Sequence, residues 1–96
     1  MATYALFGKF TAVDGQRDAL TQLLLAGREF VAAAGCEAWF VHTSADDPNG
    51  VWVYEAWRSE ADHDASLNDE RIREIISRAR PLIASVSDRV KLVPVE

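Results

Sequence analysis

The chain has little of what closes a small fold covalently or breaks it up. Its 96 residues include one cysteine, one methionine, three prolines and five glycines. A lone Cys36 excludes an intrachain disulfide and any zinc site built on several thiolates. It stands in an apolar setting and reads as a small buried hydrophobe, not a reactive thiol. No apolar run approaches the roughly 18 residues that a membrane-spanning helix needs. The start, Met1-Ala2-Thr3, lacks the basic and apolar stretches of a secretory signal, so the expected location is the cytoplasm. Positive charge is also scarce, with 10 Lys and Arg against 15 Asp and Glu, a net charge of -5. Arg71, Arg73, Arg78 and Arg80 interleave with Asp69, Glu70 and Glu74, which describes a solvated helix face and not a phosphate-tracking stripe. Neither nucleic acid nor membrane is an expected partner.

Recognisable catalytic and cofactor motifs are missing too. There is no GxGxxG turn, no P-loop and no serine, histidine and acid spacing of a hydrolase. Asp46, Asp47 and Asn49 resemble the start of a calcium loop, but no acidic residue stands at the twelfth position to supply the bidentate ligand. The expectation is therefore no metal and no cofactor.

What is present is a globular composition, 49% apolar and 26% charged, in a length that suits one domain over residues 1–96. Thr3 to Thr11 is rich in aromatic and β-branched residues and reads as a strand, with Tyr4, Leu6, Gly8 and Phe10 on one face. Asp14 is a candidate N-cap. From Gln16 to Ala34 the period becomes helical, carried by Leu20, Leu23, Leu24, Gly27, Phe30 or Val31, and Ala34, and Gly35 suits the C-cap. Glu37 to Ser44 and Val51 to Arg58 are strands flanking a turn cluster at residues 45–50, which makes a hairpin. Ser59 to Asp62 opens a short helix that runs to Leu67. A second main helix begins at residues 68–70, with an apolar stripe of Ile72, Ile75, Ile76, Ala79 and Ile83, and Pro81 bends or restarts its last turn. Val86 to Val95 reads as the final strand, with Pro94 fitting only an edge or a strand end. The order is β-α-β-β-α-β, an α+β ferredoxin-like sandwich with a four-stranded antiparallel sheet.

Such a sandwich covers one sheet face with helices, and the other face should carry polar residues at alternate positions. Here it does not. With Ser44 paired to Val51, one face holds Phe40, His42, Val51, Val53, Glu55 and Trp57, and the other holds Trp39, Val41, Trp52, Tyr54 and Ala56. A one-residue slip would swap the two sets, and the departure from alternation survives the swap because neither set is polar. Burying one such ring is worth a few kcal/mol at roughly 25 cal/mol per Å². A homodimer laying sheet on sheet is the expected remedy. In this register the Trp39, Trp52 and Tyr54 face is the candidate seam, and the Trp57 face is the candidate pocket.

The strand order, the segment VYEAWRSEAD with Tyr54, Glu55 and Trp57, the following HDASLNDERIREII, and the helix end Ala79-Arg80-Pro81-Leu82-Ile83 resemble the antibiotic biosynthesis monooxygenase domain. The resemblance spans essentially the whole chain and is sharpest from Val53 to Leu67. It implies a dimer whose two sheets close into an α+β barrel. It also implies oxidation of a quinol or polycyclic phenol to a quinone by molecular oxygen, with neither metal nor flavin. In that chemistry the phenol loses a proton and its anion reduces oxygen directly, inside a dry pocket with a base and electrostatic support.

By the same resemblance, Trp57 is the pocket tryptophan and His63 the polar residue that follows it. Val53 stands where tetracenomycin-type and actinorhodin-type members carry an asparagine, and Arg78 is the counterpart of a helix arginine. A haem-degrading branch of the same fold is not expected, because Gly8 and Ile75 or Ile76 stand where its asparagine and histidine belong.

Each candidate also has a plainer reading. Trp57 is a core tryptophan or a pocket wall, and His63 a base or a solvated helix histidine. His42 is a satisfied core histidine or a pocket residue. Glu55, on a central strand, must be paired or protonated if buried, and an arginine partner is the expected arrangement. The candidate catalytic residues are thus His63 and Trp57, with Trp57, Phe40, His42, Val53, Glu55 and Arg78 as candidate substrate contacts. Two other functions share this fold: a non-catalytic dimeric module that binds small hydrophobic ligands, and an isomerase or lyase-like enzyme.

Overall fold

A computed structural model describes residues 1–95. The elements are β1 (Tyr4–Ala12), α1 (Arg17–Ala26), α2 (Arg28–Ala34), β2 (Cys36–Thr43), β3 (Gly50–Trp57), α3 (Glu60–Ser66), α4 (Glu70–Ala79), a 3₁₀ turn (Arg80–Leu82) and β4 (Ile83–Leu92). One antiparallel sheet runs in the order β2-β3-β1-β4, and the helices cover one of its faces. This is the ferredoxin-like α+β fold expected from the sequence, with each helical crossover divided in two.

The first division falls at Gly27. Its ψ opens to -7°, well away from the -42° of a regular helix, and the expected single helix from Gln16 to Ala34 becomes α1 and α2. Glycine holds the helical backbone weakly, which makes this the place where the chain yields. Asp14 does not cap α1. Gln16 occupies that position, and Asp14 accepts a hydrogen bond from the Asn49 side chain at 2.6 Å instead. The cap expected at Gly35 is present, with φ 116°. Pro81 restarts the chain as the 3₁₀ turn, and β4 begins at Ile83, three residues before the expected Val86.

The hairpin register differs from the assumed one. Ser44 N–H donates to the Gly50 carbonyl at 3.0 Å, and Thr43, not Ser44, stands opposite Val51. The loop is thus one residue shorter than assumed. Gly50 permits this tight closure, since a Cβ there would collide with the Ser44 hydroxyl. The slip turns the side chains from Ala38 to Thr43 to the other face, while Cys36, beyond an irregularity in the pairing, stands opposite Trp57. Trp39 and Val41 now join Val51, Val53, Glu55 and Trp57 beneath the helices, where Leu20, Leu24 and Ala79 complete the core. Phe40 and His42, placed with Trp57 in the assumed register, lie on the open face with Trp52 and Tyr54.

That open face stays aromatic after the correction. Phe7 stacks on Trp52 at 5.2 Å between ring centroids, and Phe40 on Tyr54 at 6.4 Å. Lys9 reaches over the Trp52 ring at 5.9 Å. Val90 and Leu92 of β4 extend the patch, and Phe40 keeps 51% of its surface in solvent.

Candidate functional site

The site begins with a strand that alternates large residues. On β3, Glu55 and Trp57 are two residues apart and so share the helix-covered face. Trp57 is 1% exposed, and its indole Nε1 donates to Glu55 Oε1 at 2.9 Å. The bond satisfies a buried N–H and fixes the carboxylate in the same stroke.

α3 brings the third group. Ser59 caps this helix by accepting from the Asp62 N–H at 3.1 Å, and Arg58 pairs with Asp62 at 2.7 Å. The short helix then turns His63 inward, to 9% exposure. Its ring meets Trp57 edge-on at 5.3 Å and tilts against Tyr4 at 5.4 Å. His63 Nε2 lies 3.6 Å from Glu55 Oε1, while Nδ1 lies 3.0 Å from Asp64 Oδ1. Nδ1 is placed to donate to Asp64, and Nε2 faces the Glu55 carboxyl. A separation of 3.6 Å is too long for a direct hydrogen bond and too short to admit an atom between the two groups, so a ligand oxygen would meet them from the cavity side.

These side chains open into a cavity of about 200 Å³ between sheet and helices. Trp39, Val31, Ile72, Ile75 and Ile76 make its apolar walls. The ionisable groups that line it are Glu55, His63, Arg80 and Arg89. Burial raises the Glu55 carboxyl above the usual carboxylate range, and the Trp57 hydrogen bond and the charges of His63 and Arg89 oppose that rise without cancelling it. A carboxyl whose affinity for a proton is raised in an apolar cleft is a candidate for proton transfer. The arginine ion pair expected for Glu55 is absent among the described residues, since its close partners are Trp57 and His63.

Of the residues singled out from the sequence, Trp57, His63 and Glu55 converge on this cavity. Val53 is buried in the core behind it, next to the Glu55 end. Phe40 and His42 are on the other side of the sheet, where His42 Nδ1 lies 3.1 Å from the Trp52 carbonyl oxygen. Arg78 is exposed on α4 and does not line the cavity. Sequence reasoning missed Trp39, which the register slip brings in with its Nε1 donating to the Leu24 carbonyl at 3.0 Å. It also missed Arg89, although an isolated glycine inside a strand, Gly8, was a signal of a bulge opposite. Among the described residues no group of three or more His, Cys, Asp or Glu side chains is arranged to hold a metal ion. No helix among them is long and apolar enough to cross a membrane.

A ferredoxin-like sheet roofed on one face by helices, with Glu55, Trp57 and His63 lining an apolar cleft between the two layers, defines a small α+β protein of the two-layer sandwich class. The sequence matches the antibiotic biosynthesis monooxygenase family over residues 3–78, and the chain belongs to that family. Among solved structures it is similar to a Chloroflexus aurantiacus protein provisionally described as an antibiotic biosynthesis monooxygenase. That match is 37% identical, covers 99% of this chain and 95% of the other, and has a TM-score of 0.92. A Mycobacterium tuberculosis protein shares the fold at 23% identity, covering 99% and 97% of the two chains, with a TM-score of 0.82. A Nitrosomonas europaea protein with the same provisional description does so at 16% identity, covering 97% and 99%, with a TM-score of 0.83. No curated protein matches the chain.

Proposed function

We propose that the protein is a cofactor-independent monooxygenase that oxidises a quinol or phenol to a quinone with molecular oxygen. The observation that carries this reading is the convergence of Glu55, Trp57 and His63 on one apolar cavity. The phenol hydroxyl gives its proton to the Glu55–His63 pair, and the electron-rich anion passes an electron to oxygen. With an open carbon para to the hydroxyl, that carbon bonds oxygen and loses its hydrogen as a proton. The O–O bond then breaks, leaving one oxygen atom as the new ring carbonyl and the other as water. A quinol instead loses two electrons and two protons with no oxygen atom inserted, and oxygen leaves as hydrogen peroxide, the oxidase outcome of the same proton and electron transfers. Both balances close without an external reductant.

The walls exclude water and so strengthen each charge interaction with the anion. A cavity of about 200 Å³ lies below the roughly 300–1,000 Å³ of drug-sized sites and favours a one- or two-ring substrate over a larger one. The open aromatic face supports the homodimer, in which a second copy covers Phe7, Phe40, Trp52 and Tyr54.

Oxygen uptake in metal-free buffer, with a panel of hydroquinones, naphthols and anthrones, tests the reading. Uptake that falls by about 10²-fold or more in His63→Ala or Glu55→Gln supports it, the usual scale of acid–base catalysis. No uptake above background from any substrate leaves the ligand-binding module as the better account.

A further inference from the structure

Arg89 reaches the cavity through a defect in the sheet. β1 and β4 pair regularly until Phe7 opposite Val90 and again from Lys9 opposite Ser87, so Gly8 alone faces both Asp88 and Arg89. Asp88 takes φ 52°, a left-handed value at a non-glycine residue, as a bulge of this kind requires. A Cβ on Gly8 would lie 3.2 Å from Arg89 Cα and 3.4 Å from its Cγ. The arginine stem therefore crosses directly above Gly8, on the face that carries Leu6, Val53 and Glu55. Its side chain lines the main cavity and a smaller cleft of about 50 Å³, both shared with Glu55. Among the described residues it forms no ion pair. Glycine, bulge and left-handed aspartate together place Arg89, which keeps part of its surface in solvent, along the lining that it shares with Glu55.

We propose that Arg89 binds the oxyanion of the phenolic ligand, and that the Gly8–Asp88 bulge exists to hold it there. The inference rests on the phenol-binding part of the proposed function. It adds the ligand class: a phenol acidic enough to bind as its anion, with the oxygen between Glu55 and Arg89. Guanidinium suits this role because it stays charged at every working pH and gives directed N–H donors. Glu55 and His63 exchange the proton, Arg80 adds a second positive charge to the lining, and Arg89 holds the charge left on oxygen.

The test uses 4-nitrophenol, whose anion absorbs in the visible, so that affinity and the ionisation of the bound phenol are read without turnover. Wild type binds the nitrophenolate, with bound ionisation at lower pH than in free solution. In Arg89→Gln, affinity for the anion falls on the order of 10- to 100-fold, the range for a hydrogen bond to a charged group. Bound ionisation moves to higher pH in the same variant. Arg89→Lys recovers part of both effects. Gly8→Ala weakens binding although the charge is kept, and Arg73→Gln, at a position that does not line the cavity, binds as wild type does. Urea unfolding of each variant shows that the fold persists, and the Arg89 variants decide the matter even if Gly8→Ala does not fold.

Equal affinity and ionisation in wild type and Arg89→Gln would overturn the proposal, as would an equal fall in Arg73→Gln or no binding of nitrophenolate by wild type. Arg89-dependent binding without oxygen uptake by any phenol would sustain this proposal while removing the monooxygenase reading.

Discussion

Replacing Glu55 by glutamine separates the cost of the site from its use. The wild-type carboxyl is buried and raised above its ordinary 4.5, so between that value and its folded value the folded chain holds a proton that the unfolded chain has released. Stability therefore falls as pH rises through this window and stays at the lower level above it. Each unit of upward shift corresponds to about 1.4 kcal/mol. Glutamine keeps the shape and an oxygen for the Trp57 N–H, yet has no charge to bury. Glu55→Gln should thus match wild type near pH 4 and exceed it at pH 8, by roughly 4–8 °C in Tm for each kcal/mol in a domain of this size. Urea unfolding from pH 4 to pH 8, at one protein concentration so that any association contributes equally, measures the difference. Oxygen uptake should be lost in the same variant that gains stability. A stability difference independent of pH, or one that turns against the variant as pH rises, would refute the reasoning.

Trp57→Phe removes the donor that restrains the Glu55 carboxyl, so the acid limb of the pH–rate profile should move to higher pH; an unmoved limb contradicts the assigned bond. Trp57→Ala should cost about 3–5 kcal/mol in urea unfolding, a large share of the roughly 5–15 kcal/mol that holds a domain together. Gly35→Ala should cost about 1–2 kcal/mol for its left-handed backbone alone, and more because the new Cβ would stand 2.8 Å from Asp62 Oδ2. Cys36, buried and with its thiol pushed up to about 11, should resist alkylation in the native protein and react once urea unfolds it. Tyr54→Asp on the open face should turn a dimer into a monomer by light scattering, and a wild-type monomer at micromolar concentration would refute the covered face.

Periodicity made the element order legible, because Leu20, Leu24 and Val31, Ile72 and Ile76, and the alternation along Val51–Trp57 each repeat with one period. Glu55 and Trp57 share a strand, so their common face followed whatever their neighbours did. Phe40 and His42 were misplaced because β2 has large side chains on both faces, and pattern alone cannot choose the register. That choice was made by Ser44 and Gly50, through backbone closure that no hydrophobic count records. The arginine partner expected for Glu55 gave way to Trp57 and His63 for a related reason: a residue two places along the strand and a capped helix brought polar groups closer than any arginine. Arg89 escaped notice because the bulge reverses the face that strand alternation would assign.

The most direct measurement is the fate of labelled oxygen. With ¹⁸O₂, metal-free enzyme and 1-naphthol, or an anthrone if naphthol is not turned over, one ¹⁸O atom should enter each quinone and one should enter water. Glu55→Gln should form no labelled product above the uncatalysed rate. Quinone without ¹⁸O, or labelled product formed equally well by Glu55→Gln, would contradict the account.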